Sequence, residues 1–335
     1  MLAVPATAAA DKPRPFDLQA HRGGIGLAVE SSLLSFGTAL DLGVSTLELD
    51  VQITADGHAV VTHDRRTNPQ VCADTAPATP DDPLFPYVGR YVDTLTLAQI
   101  RTLDCGSTAK PAYPAQRLSP GARMLQLHEV FDLVEQRGAD DVRFNIETKV
   151  EAGAPQETAP REQFVQVVAE QVRAAGMTER VSVQSFDWGA LMRMREVAPE
   201  LPIVALTNGD FLQFGQPGAS PWLGGLDIDD FGSDLERALV AAADSFGADA
   251  ISPVHGMPQG GSVTAPGYTP FTTEKLVKRA HAAGLAVIPW TVNDVPTMDA
   301  LIDAGVDGLI TDYPDRLRWL LERRGFDLPR PYPAR

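Results

Sequence analysis

Apolar positions along this chain follow two alternating rhythms. Short runs rich in Val, Ile and Leu read as strands, and stretches with apolar residues three and four apart read as amphipathic helices. Residues 16–20 predict a strand that ends at His21. A helix follows over 33–42, with Ser31 or Ser32 as its cap and Gly43 closing it. Residues 46–53 predict the second strand, Asp56-Gly57 a turn, and 58–62 a short returning strand. From 65 to about 122 the pattern lapses into a Pro-, Asp- and Thr-rich region with one short helix over 96–103. So long an irregular stretch inside a compact domain marks a lid or an insertion.

Alternation then resumes. Helices are predicted over 127–137, 162–175, 188–197, 233–246, 272–283, 295–304 and 314–323. Strands are predicted between them over 142–148, 181–186, 203–206, 250–252, 286–292 and 308–311. Irregular loops occupy 208–232 and 256–267. About eight strand–helix units result, the number that closes an α/β TIM barrel. The division is a tail over 1–15, one barrel over 16–325 with an insertion at 65–122 after the second strand and its hairpin, and a tail over 326–335. No internal repeat stands out.

Composition narrows the picture. In 335 residues, 44% are hydrophobic and 21% charged, a globular balance able to bury a large core. The formal net charge of −16 argues against nucleic acid and anionic membranes as partners. A small anionic substrate is still compatible, because a local cation cluster decides that. No apolar run reaches the length of a membrane span, and oligomeric state is not legible. The Ala-rich start, through Asp11, reads either as the end of a secretory signal or as a plain tail. Cys72 and Cys105, the two cysteines, read either as a disulfide pinning a long loop or as free thiols. Both features point toward export, periplasmic or secreted, with the cytoplasm as the alternative.

Candidate chemistry gathers at predicted strand ends, where barrel enzymes carry their sites. In Thr46-Leu-Glu-Leu-Asp50, Glu48 and Asp50 share a strand face. Two adjacent carboxylates repel unless a proton or a cation lies between them. The bland alternative is an edge strand with two solvated acids. Asn145, Glu147 and Lys149 alternate along another strand, so Glu147 offers a third carboxylate. Three carboxylates suit Mg²⁺ or Ca²⁺ better than zinc. Arg22 and Lys149 are placed to bind phosphate oxygens, or, for Lys149, to pair with a neighbouring acid. His21 and His63 end the strands on either side of the carboxylate pair, as an acid and base would. Gln184, His255, Trp290, Asn293 and Asp312 also lie at or just after strand ends, and of these Trp290, Gln184 and His255 are candidates to line the pocket and bind the substrate.

These residues carry a family resemblance. His21-Arg22-Gly23-Gly24, Glu30, Glu48-Leu49-Asp50-Val51, Asp56-Gly57 and His63-Asp64 resemble the glycerophosphodiester phosphodiesterases. So do Asn145-Ile146-Glu147-Thr148-Lys149, Ser185-Phe186, Trp290-Thr291-Val292-Asn293, Gly305-Val306-Asp307-Gly308 and Thr311-Asp312, in order. The resemblance implies a TIM barrel with a small insertion after the second histidine. It implies one divalent cation held by Glu48, Asp50 and Glu147, with His21 and His63 as acid and base and Arg22 and Lys149 on the phosphate. It further implies hydrolysis of glycerophosphodiesters, such as glycerophosphocholine or glycerophosphoethanolamine, through a cyclic phosphate. One departure is Val29-Glu30-Ser31-Ser32, where the family usually reads Pro-Glu-Asn-Thr, which leaves the local part of Glu30 open. Other readings are a lysophospholipase D-type or glycerophosphoinositol phosphodiesterase, and a barrel that binds phosphorylated ligands without turnover.

Overall fold

The structure is a computed structural model that describes residues 15–334. The N-terminal stretch read as a tail or leader lies, apart from Pro15, outside the described residues. In chain order the elements begin with β1 (Asp17–Ala20), α1 (Leu33–Leu42), β2 (Thr46–Ile53), β3 (Ala59–Val61), α2 (Leu97–Ile100), α3 (Leu127–Gln136) and β4 (Arg143–Thr148). They continue with α4 (Arg161–Ala174), β5 (Val181–Ser185), α5 (Trp188–Val197), β6 (Ile203–Thr207), α6 (Gly209–Leu212), α7 (Leu235–Ser245) and β7 (Ala250–Pro253). The last are β8 (Gly256–Met257), β9 (Thr269–Pro270), α8 (Glu274–Ala282), β10 (Ala286–Val287), α9 (Val295–Asp303), β11 (Gly308–Thr311) and α10 (Pro314–Arg323).

Parallel strands run in the order β10-β7-β6-β5-β4-β2-β1-β11, and β3 pairs antiparallel with β2. The predicted strand over 286–292 stops early, at Val287, because Pro289 has no N–H for a ladder. Single backbone bonds nevertheless bridge that seam. The Asp307 N–H donates to the Val287 carbonyl at 2.9 Å, and the Ile310 N–H to the Pro289 carbonyl at 3.0 Å. The result is a nearly closed TIM barrel of eight parallel strands with helices between them.

Strand alternation sorts the layers. Leu47, Leu49, Val51 and Ile53 of β2 are fully buried in the large core. Phe131 of α3 meets Phe144 of β4 edge-on at 4.9 Å. On the opposite face of β2, Glu48 and Asp50 are also buried, which overturns the reading as a solvated edge strand. At α1 the choice of cap is Ser32, whose hydroxyl accepts from the Ser35 N–H at 3.1 Å. Gly23, at φ 78°, lies against that helix start, where a Cβ would come within 2.8 Å of the Phe36 nitrogen.

Residues 65–122 form the insertion, with α2 as its one α-helix. It is ordered by a second small core, in which Tyr87, Val92, Leu95, Ile100 and Leu103 pack with Val60. A disulfide joins Cys72 to Cys105. The C-terminal stretch set apart in the sequence reading packs on the barrel: Phe326 meets Phe16 edge-on, and the Tyr332 N–H donates to the Leu40 carbonyl at 2.7 Å. Among the described residues no helix is long and apolar enough to cross a membrane.

Candidate active site

The site grows from the register of three neighbouring strands. Glu48 pairs with Asn145, Asp50 with Glu147, and Glu147 in turn with Gln184. Alternation aims Glu48, Asp50 and Glu147 at the barrel interior, with one oxygen of each within 4.8 Å of the others. Both Asp50 oxygens are buried without a hydrogen-bond partner, with Arg22 Nε at 3.3 Å and Lys149 Nζ at 3.8 Å in ion-pair range. Glu48 is better held: it accepts from the Arg22 N–H at 2.9 Å and from Gln184 Nε2 at 2.8 Å. Three buried carboxylates, one with free oxygens, fit a hard divalent cation.

Electrostatics follow from this crowding. Burial, then Asp50 and Glu147, raise the Glu48 carboxyl well above the usual range. Burial and Asp50, against Lys149, push Glu147 up to about 7. Burial also acts to raise Asp50, but His63, Lys149, Arg22 and His21 outweigh it and hold Asp50 well below the usual range. Lys149 Nζ lies 2.8 Å from Glu147 Oε1, and its acidic neighbours raise its pKa despite burial. So Lys149 pairs with an acid and also lines the cavity.

The two histidines are anchored alike. His21 Nδ1 lies 2.5 Å from Asp312 Oδ1, and His63 Nδ1 lies 2.8 Å from Asp64 Oδ1. An ionised carboxylate only accepts, so each Nδ1 carries the proton and each Nε2 is free to exchange one. Burial, then Arg22 and Lys149, depress His63 to about 4, so it is neutral near pH 7. Asp312 is itself held low: the charge and hydrogen bond of His21, with bonds from Tyr113 and Asn293, overcome its burial. Arg22 sits at φ 52°, in the left-handed region, so that its N–H reaches Glu48 while its guanidinium meets Glu30 at 3.1 Å.

His21, Arg22, Glu48, His63, Glu147, Lys149, Gln184 and Trp290 together line an inner cavity of about 80 Å³. His63, Glu147, Lys149 and Trp290 also line an outer cleft of about 500 Å³. Its wall carries Phe186, edge-on to both Phe211 and Trp290 at 5.2 Å, and Trp222 stacked on Phe211 at 4.1 Å. His255 is placed elsewhere. It is buried against Tyr268, with Nδ1 2.8 Å from the phenol oxygen, and borders neither space.

Some supporting residues carried no sequence signal. Tyr113 and Lys110 lie in the irregular insertion, where spacing has no period to read. Asn293 and Asp312 are legible as polar residues at strand ends and as parts of the family motifs, but their bond to each other is not. Glu30, whose part the departure in sequence left open, is buried between Arg22 and Lys110.

A parallel barrel with its acids, imidazoles and cations at the C-terminal strand ends defines a TIM-barrel enzyme. Residues 21–316 match the model of the glycerophosphoryl diester phosphodiesterase family, and the chain belongs to that family. It is 28% identical to a glycerophosphodiester phosphodiesterase of Caldanaerobacter subterraneus subsp. tengcongensis over 91% of this chain and 98% of that one. A Bacillus subtilis glycerophosphodiester phosphodiesterase is likewise 28% identical, over 88% of this chain and 83% of that one. Among solved structures, a putative glycerophosphoryl diester phosphodiesterase of Silicibacter pomeroyi superposes with a TM-score of 0.74 at 29% identity, covering 94% of this chain and 96% of that one. An Oleispira antarctica phosphodiesterase in complex with the product sn-glycerol-3-phosphate shares the fold, with a TM-score of 0.63 at 19% identity over 92% of this chain and 97% of that one.

Proposed function

We propose that this protein hydrolyses glycerophosphodiesters, such as glycerophosphocholine or glycerophosphoethanolamine, to glycerol 3-phosphate and an alcohol. The observation that carries this reading is the pair of Nδ1-anchored imidazoles beside a buried three-carboxylate cluster, both rings lining one small cavity with Glu48 and Glu147. A ligand-binding barrel has no use for an acid and base pair. The product named for the Oleispira antarctica structure supports the same substrate class.

Glu48, Asp50 and Glu147 would hold one Ca²⁺ or Mg²⁺ ion, which when bound draws charge from the phosphoryl oxygens. Arg22 and Lys149 add the positive charge that a phosphodiester anion needs beside three carboxylates. Neutral His63 takes the proton of the glycerol hydroxyl next to the phosphodiester as that oxygen attacks phosphorus. His21, acting as an imidazolium whose Nδ1–H stays on Asp312, gives its Nε2 proton to the departing alcohol oxygen as the P–O bond breaks, leaving a cyclic phosphate and a neutral ring. Water then opens the ring with the two histidines in exchanged roles. The aromatic wall of Phe186, Phe211, Trp222 and Trp290 receives the alcohol. The disulfide between Cys72 and Cys105 supports work in an oxidising compartment, outside the cytoplasm.

Alcohol release from a panel of glycerophosphodiesters and lysophospholipids, with and without chelator, tests this. We expect cation-dependent turnover of the glycerophosphodiesters, with His21→Ala and His63→Ala each losing roughly 10²- to 10⁴-fold in kcat. Selective turnover of the acylated substrates would favour a lysophospholipase D. No turnover of any of them would favour a phosphate-ligand binder.

A further inference from the structure

The insertion is fastened to the loop that follows His21. Gln116 Nε2 donates to the Ile25 carbonyl at 2.6 Å, the Arg117 N–H to the Leu27 carbonyl at 3.0 Å, and the Val29 N–H back to the Arg117 carbonyl at 2.9 Å. This docking delivers two side chains to the rear of the site. The Tyr113 hydroxyl donates to Asp312 Oδ2 at 2.6 Å, while Asp312 Oδ1 lies 2.5 Å from His21 Nδ1. Lys110 Nζ lies 2.6 Å from Glu30 Oε2, while Glu30 Oε1 accepts from Arg22 at 3.1 Å. Two adjacent site residues, His21 and Arg22, are thus each held by a carboxylate whose other oxygen is held by the insertion.

We propose that Tyr113 is a positioning residue for His21, acting through Asp312, so that the insertion completes the active site of the barrel. The inference rests on the reading of His21 as an acid and base. A carboxylate fixed at one oxygen can still rotate about its Cβ–Cγ bond. Donors on the second oxygen, here Tyr113 and Asn293 Nδ2 at 2.6 Å, fix its plane and with it the imidazole ring. Burial and the Asp312 charge push the Tyr113 phenol up, so it stays a donor across the working pH range. Asp312 is only 1% exposed, so no water replaces a lost donor readily.

Steady-state kinetics of Tyr113→Phe, Asp312→Asn, the double variant and His21→Ala on a glycerophosphodiester, with the cation present, test this. In Tyr113→Phe we expect kcat to fall roughly tenfold, as for loss of a hydrogen bond to a charged group, with KM within about twofold of wild type. In the Asp312→Asn background the same substitution should cost little more, because the relay is already broken. Wild-type kcat in Tyr113→Phe beside inactive His21→Ala overturns this inference alone. An undiminished tenfold loss in the Asp312→Asn background overturns it too, since Tyr113 would then act by another route. Wild-type turnover by His21→Ala overturns the reading of His21 and this inference with it.

Discussion

Asp50 stands opposite Glu147 in the parallel register of β2 and β4, and neither oxygen of Asp50 accepts a hydrogen bond. Burial and the neighbouring Asp50 charge lift Glu147 from 4.5 to about 7. Because the folded value is the higher one, the native state binds more protons than the unfolded chain between those two pH values. The stability contributed is full below about 4.5 and is lost as pH rises through about 7. We therefore expect chelated wild type to lose thermal stability across that window and Glu147→Gln to flatten the loss. Above it, Ca²⁺ or Mg²⁺ should raise the Tm of wild type and not of Glu147→Gln. Calorimetric scans with chelator and with saturating cation read both; an equal cation-dependent rise in the two proteins would remove Glu147 from the ligand set.

Asp64 accepts from His63 through Oδ1 and from Asn68 Nδ2 through Oδ2, at 2.5 Å. An amide in its place could donate to the ring and so release the other tautomer. We expect Asp64→Asn to lower kcat by roughly 10²-fold or more, with the circular dichroism spectrum unchanged. Wild-type kcat in Asp64→Asn would show that His63 needs no anchor.

Phe211 lies between Phe186 and Trp222 on the cleft wall, outside the inner cavity. Phe211→Ala should therefore raise KM several-fold for substrates with a bulky alcohol and leave inhibition by glycerol 3-phosphate unchanged. Inhibition constants measured beside KM separate the two. A parallel rise in both would place Phe211 on the phosphate side instead.

Cys72 and Cys105 are 33 positions apart and close a loop around the small second core of the insertion. Loop-closure entropy puts the contribution of such a link at about 3–4 kcal/mol. We expect the Cys72→Ser/Cys105→Ser variant to lose stability of that order in urea titrations. It should lose activity as well, because the same insertion carries Lys110 and Tyr113. Full retention of turnover at a lowered midpoint would show that the docked segment at 110–117 holds without the disulfide.

Legibility in the sequence followed periodicity. The eight strand–helix units stood out because parallel strands and amphipathic helices each impose a repeat on side-chain chemistry. The alternation in 46–53 aligned Glu48 with Asp50, and that in 143–148 aligned Asn145 with Glu147. His21 and His63 showed themselves by ending short apolar runs. The apolar run over 286–292 predicts a longer strand than forms, because it continues past the point where Pro289 ends the ladder. His255, equally at a strand end, is buried against Tyr268 and lines neither the inner cavity nor the outer cleft.

The chain alone, then, determined which residue types could do the chemistry and which strand each would sit on, because those are properties of neighbours in sequence. Tertiary structure decided which of them meet. Only the parallel register brings Asp50 beside Glu147, and only the docking of an aperiodic insertion sets Tyr113 and Lys110 behind His21 and Arg22. Contacts between residues far apart in the chain, such as Tyr113 and Asp312, leave no local repeat to read.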